Sequence, residues 1–161
     1  MVDTPVKSAV PLGWWWRFYF YGLQGFADEI AFTSVFNFFK TGDPKLQGHS
    51  AISSFFIYGS CSLFAEQMVY LRLKDYPRWH RYPIYLALCY IWELSSGAVL
   101  TMFDACPWDY TEYDYDFCGL ITLEYAPLWL TLSILFDFMC EFMLSIRMPP
   151  GTIGAVNTKE E

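Results

Sequence analysis

Histidine is scarce in this sequence, and where it occurs it stands alone. His49 and His80 are the two present, each in a polar stretch. A zinc site built from grouped Cys and His ligands is therefore not expected. A Ser- or Cys-His triad is not expected either, because the topology argued below puts the two histidines on opposite sides of a membrane. Basic residues are also few, ten Lys and Arg against 17 Asp and Glu. They form no patch of the kind that grips phosphates, so nucleic acid drops out as a partner. A glycine-rich P-loop is missing. The first apolar block is long, carries acids and has no small-residue cleavage site, so it does not read as a removed signal peptide. Charged residues make up only 17% of the chain, against a usual quarter or so. No cofactor and no metal is called for by what remains.

What is present is apolar. Hydrophobic residues are 55% and aromatics 21% of 161 residues. They gather in four blocks, about 14–39, 51–73, 83–103 and 119–146, each near or above the 20 residues a helix needs to cross a bilayer. The third, Pro83 to Phe103, contains no acid or base except Glu93 at its middle. The expected fold is an all-α, four-helix transmembrane bundle, in one membrane domain over 14–147. A disordered lead over 1–13 and a disordered tail over 148–161 would flank it. The fourth block would span roughly 42 Å as one helix, longer than the hydrocarbon core. Pro127 is a natural break, leaving Leu120–Ala126 as a separate turn.

Four spans put both termini on one side. Lys7, Arg17, Arg72, Lys74, Arg78, Arg81, Arg147 and Lys159 then share that side, with only Lys40 and Lys45 opposite. The positive-inside bias predicts cytoplasmic termini. The acidic loop Asp104–Cys118, with five acids and no base, then faces outward. Trp14, Trp15, Trp16 and Arg17 read as an interfacial anchor, with the arginine snorkelling toward water.

Seven acids lie inside the apolar blocks: Asp28, Glu29, Glu66, Glu93, Glu124, Asp137 and Glu141. Small residues accompany several of them on one helix face. Gly22, Gly25 and Glu29 are spaced i, i+3, i+7, and so are Gly59, Ser62 and Glu66. Cys89, Glu93 and Gly97 echo the pattern. Small residues let helices approach closely, so these acids are expected to face inward. Counted along straight helices, Glu93 and Asp137 fall near mid-bilayer, Glu29 in the outer half and Glu66 and Glu141 in the inner half. Glu124 falls near the outer interface. The spans supply no lysine or histidine to pair with them, and Arg17, Arg72 and Arg147 sit at helix ends. The expectation is a set of unpaired acids that are neutral, share protons, bind a cation or touch water. Glu29, Glu93, Asp137, Glu66 and Glu124 are the candidate lining of a polar cavity. The plainer alternative is interhelical hydrogen bonding by neutral carboxyls.

Cys106-Pro107-Trp108-Asp109-Tyr110 is the candidate outer lid of such a cavity; alternatively its aromatics form an interfacial belt and Asp109 caps a turn. Cys106 and Cys118 share this loop, which allows a disulfide if it faces an oxidising compartment. Cys61, Cys89 and Cys140 read as small buried thiols.

Several runs carry a resemblance. They are Phe56-Ile57-Tyr58-Gly59, Tyr70-Leu71-Arg72-Leu73, and Trp92-Glu93 followed by Gly97. Further on come Ala105-Cys106-Pro107-Trp108-Asp109-Tyr110 and Asp116-Phe117 leading through Gly119 to Ala126. In these the chain resembles the transmembrane protein 229 family, grouped with bacterial proteins labelled type IV ABC transporter components. The resemblance implies a small multi-pass membrane protein. It transfers no catalytic or binding residue, and it carries Cys106 more firmly than Cys118, which weakens the disulfide. The functions left are a leading one and two alternatives to it. The leading one is a small carrier or accessory subunit for a proton, cation or lipid headgroup, in the bilayer and as a homo-oligomer or within a larger membrane complex. The alternatives are an intramembrane lipid-modifying enzyme using Glu93 or Glu124 as acid/base, and a structural partner of a larger assembly.

Overall fold

Helix α1 (Trp14–Thr41) starts where Gly13 leaves the extended backbone and stops at Gly42, whose φ of 72° lets its N–H reach back to Phe38 O. In the computed structural model, which describes residues 9–149, it packs along α2 (Ile52–Ala65). The contact is as close as the sequence pattern requires. A Cβ on Gly25 would fall 2.3 Å from the Tyr58 ring, and one on Gly22 would fall 2.6 Å from Phe55 O. Gly59 meets Phe18 in the same way.

After Ala65 the α2 backbone widens into a π-helical turn (Glu66–Tyr70) and closes with a short α3 (Leu71–Leu73). A 3₁₀ turn (Arg78–His80) leads into α4 (Arg81–Thr101). Pro83 sits in the first turn of α4, where a missing N–H costs nothing. The expected third span therefore begins two residues early, and Arg81 belongs to the helix, not to the loop. The fourth helix, α5 (Ala126–Ser145), carries Pro127 in its first turn. The proline starts that helix, and Leu120–Ala126 is the separate segment that a break there requires.

That segment forms part of a capping structure at one end of the bundle. Strands β2 (Asp116–Phe117) and β3 (Ile121–Thr122) pair antiparallel, followed by a 3₁₀ turn (Leu123–Tyr125). Their three-residue turn has positive φ at both Cys118 (57°) and Gly119 (66°), and Leu120 N–H donates to Phe117 O. At the other end, β1 (Val10–Pro11) pairs antiparallel with β4 (Arg147–Met148). Residues 9–13 of the expected lead and Met148 of the expected tail are thus tied into the fold; 1–8 and 150–161 lie outside the described residues. Cys106 and Cys118 are free thiols.

The four helices expected from the apolar blocks are present. Two segments, Arg78–Thr101 and Leu123–Ser145, are long and apolar enough to cross a membrane. Side-chain burial is inverted relative to a water-soluble bundle: Glu66, Asp137 and Arg81 are buried, while Phe56, Ile91, Leu135 and Phe142 are exposed.

Candidate functional site

The candidate acids separate into two groups at opposite ends of the bundle, and the sequence expectation fails for one of them. Glu66 and Asp137 are not unpaired. Arg17 Nε lies 3.0 Å from Glu66 Oε2, and Tyr21 O–H donates to the same oxygen at 2.7 Å. Gln67 donates to Oε1 at 2.6 Å. Arg81 grips Asp137 with two bonds, Nε to Oδ1 at 2.6 Å and Nη2 to Oδ2 at 2.8 Å. Tyr85 O–H adds a third at 3.1 Å. The remaining Arg81 donor, Nη1, caps the carbonyls of Leu73 and Tyr76. Glu141 pairs with Arg78 at 2.6 Å on the exposed side.

The error has a physical source. Counting from block ends placed Asp137 at mid-bilayer with no base in reach. In the fold, α5 runs eight residues beyond Asp137 to Ser145, while α4 begins at Arg81. The helices are staggered, so the first side chain of α4 meets the middle of α5. Arg17 likewise turns inward along the bundle instead of snorkelling out; its Nη1 donates to Leu12 O at 2.5 Å. The π turn beginning at Glu66 adds to the effect, since a widened turn shifts the direction of the side chain that starts it.

Glu124 does not line the cavity that holds Glu29 and Glu93. It is exposed, accepts Tyr115 N–H at 3.0 Å and the Thr122 hydroxyl, and so braces the β2–β3 hairpin.

Glu29 and Glu93 remain, and they do share a cavity. It measures about 750 Å³ and lies among α1, α2, α4, α5 and the segment 107–113. Such volumes fall within the roughly 300–1,000 Å³ typical of pockets for small organic ligands. Tyr58 lines the same cavity as the two carboxylates. Glu93 Oε1 accepts the Tyr110 hydroxyl at 2.8 Å. Its other oxygen, Oε2, is buried and has no hydrogen-bond partner among the described residues. Trp92, Trp108, Tyr58 and Tyr125 contribute aromatic wall. No arginine lines this space; Lys40 and His49, on or beside the α1–α2 loop, are its only bases among the described residues.

The expected lid residues Pro107, Trp108, Asp109 and Tyr110 all border the cavity. Trp108 is seated on α4 at Gly97, where a Cβ would fall 3.1 Å from its ring, and its indole N–H donates to Leu120 O at 3.1 Å. Asp109 Oδ1 accepts Thr111 N–H at 2.9 Å, which keeps its carboxyl below the usual range and fixes a turn. Tyr110 N–H donates to Gly119 O at 2.8 Å, so hairpin and lid move as one piece. Burial raises the Tyr110 phenol well above its ordinary value, so it stays protonated and donates to Glu93. Cys106 does not face the cavity; its thiol lies 3.4 Å from Trp108 O.

Sequence reasoning missed Arg78, Arg81, Tyr21 and Tyr110 as partners of the acids. Tyr21 had a signal, since it precedes a glycine on the face that carries Glu29. Tyr110 had none, because it reaches Glu93 from a loop 17 residues away. Neither a known protein-family model nor a solved structure matches this chain.

Proposed function

We propose that the chain is a multi-pass integral membrane protein whose four helices all cross the bilayer, with cytoplasmic termini, and that its Glu29–Glu93 cavity binds a positively charged group. The resemblance to the transmembrane protein 229 family points to the same class. The membrane reading is supported by the inverted burial. Only 11% of the best window in Arg78–Thr101 and 22% of that in Leu123–Ser145 are buried by the rest of the chain. The core helix of a water-soluble protein would be mostly covered. Exposed Leu23, Phe36, Phe56 and Phe64 extend the apolar exterior over α1 and α2. The long helices satisfy their own backbone groups, as a bilayer demands.

The binding reading is carried by one observation. Glu93 Oε2 is a buried acceptor without a donor, beside a second carboxylate, in a cavity to which no arginine belongs. Elsewhere in the same bundle the buried acids are saturated by arginine and tyrosine. A bound cation or cationic headgroup supplies what arginine supplies there, in the manner of a small carrier or an accessory subunit. The test is native mass spectrometry of protein extracted in mild detergent. A positively charged molecule should leave with the wild type and be missing from Glu93→Gln. Equal retention by both, or none by either, ends the reading. Glycosylation acceptors inserted separately into the 104–118 and 73–78 loops test the topology, with modification expected only in the first.

A further inference from the structure

Helix α1 meets α5 at one end of the cavity and the 3₁₀ turn ahead of α5 at the other. At one end Tyr21 meets Phe136, with ring centroids 5.7 Å apart, and its hydroxyl lies 3.6 Å from Cys140 Sγ. At the other end Phe32 meets Tyr125 at 5.5 Å. Between these contacts the cavity wall is made by side chains that are themselves exposed. Gln24 and Ala31 stand on α1 and Leu135 on α5. The cavity therefore has a mouth on the flank of the bundle, facing what would be acyl chains. Leu128, Leu132, Leu135 and Met139 give the α5 side of this gap an apolar lining. The polar end lies deeper, at Glu29, Glu93 and the aromatic rings.

We propose that this cavity holds a membrane amphiphile with a protonated amine headgroup, its N–H donors on Glu93 Oε2 and its hydrocarbon chain leaving through the α1–α5 gap. The inference rests on the cation-binding reading above and adds the ligand class and its route. Three observations favour an amine-headed chain over other occupants. The orphan oxygen needs a hydrogen-bond donor, which an ammonium with N–H supplies and a quaternary ammonium lacks. Trp92, Trp108, Tyr58 and Tyr110 offer ring faces on which a cation is favourable. A free inorganic cation would leave the apolar half of the cavity empty, whereas a hydrocarbon chain fills it. Glu29 and Asp28 are the other acids of the α1 wall; Lys40 and His49 stand toward the α1–α2 loop end, and Asp109 and Glu112 line the lid side.

The experiment uses the full chain in nanodiscs of zwitterionic lipid. Four fluorescent-competition probes are compared: hexadecylamine, hexadecyltrimethylammonium, hexadecanol and butylamine. Hexadecylamine is expected to bind at least tenfold tighter than each of the other three. Glu93→Gln should remove most of that margin, and Leu132→Trp, which fills the gap, should bring hexadecylamine down toward butylamine. Thermal unfolding of both variants verifies that they remain folded. Butylamine binding as tightly as hexadecylamine overturns the route through the gap while leaving the cation reading intact. The trimethyl analogue matching the amine overturns the donor argument. Hexadecanol matching the amine, or no probe binding, overturns both this inference and the cation reading.

Discussion

Two ends of one bundle treat the same chemistry in opposite ways. Where α1, α2, α4 and α5 meet the terminal ribbon, Glu66 and Asp137 are fully enclosed and each is held by an arginine and a tyrosine. Where the lid borders the other end, Glu93 has one tyrosine and no arginine, one of its oxygens is left over, and Glu29 shares its cavity. A carboxylate in an apolar surround is costly unless paired. The first end meets that cost within the chain and serves as the framework. The second leaves it unmet at Glu93 Oε2, the observation on which the proposed binding role rests.

Removing half of a framework pair should therefore hurt far more than altering the cavity. Arg81→Met removes both short bonds to buried Asp137 and leaves it only the Tyr85 hydroxyl and the Arg78 guanidinium at 3.9 Å, and a loss of about 3 kcal/mol is expected in detergent-based denaturant unfolding. Adding Asp137→Leu to Arg81→Met should restore much of the loss; a double variant no more stable than the single would break the contrast. Glu66→Gln strips Arg17 of its partner charge and should cost about 1.5–3 kcal/mol, measured the same way. Gly25→Leu drives a side chain into Tyr58 and should cost roughly 1–3 kcal/mol, a control for packing without charge. Glu93→Gln keeps the shape and the Tyr110 bond, so stability should change by under about 1 kcal/mol while ligand retention is lost. Glu141→Gln, which touches only the exposed pair with Arg78, sits at the bottom of the series, at about 0–1 kcal/mol. If Glu93→Gln proves as damaging as Arg81→Met, the two ends are alike and the cavity is only part of the framework.

The helices were legible because apolar run length and small-residue spacing are local properties. Gly22, Gly25 and Gly59 sit where their spacing placed them, at the α1–α2 contact, and Pro127 opens α5 as its position in a 28-residue block suggested. The partners of the acids were not legible, because pairing depends on stagger between helices, which no single helix records. Arg81 read as a loop base, although two residues of extra helix carry it into the core. The Asp137 pairing was missed for the same reason. The hairpin that seats Trp108 against Gly97 joins residues from separate segments, so no single stretch of sequence records it.

The terminal ribbon has a mechanical consequence. β1 runs straight into α1 and β4 follows straight from α5, so the hydrogen bonds between Val10–Pro11 and Arg147–Met148 tie together the two helices that flank the lateral mouth. The pair behaves like a book bound along one edge. Any widening must swing about that spine, so the pages part most at the margin beneath the lid, where Glu29 and Glu93 wait.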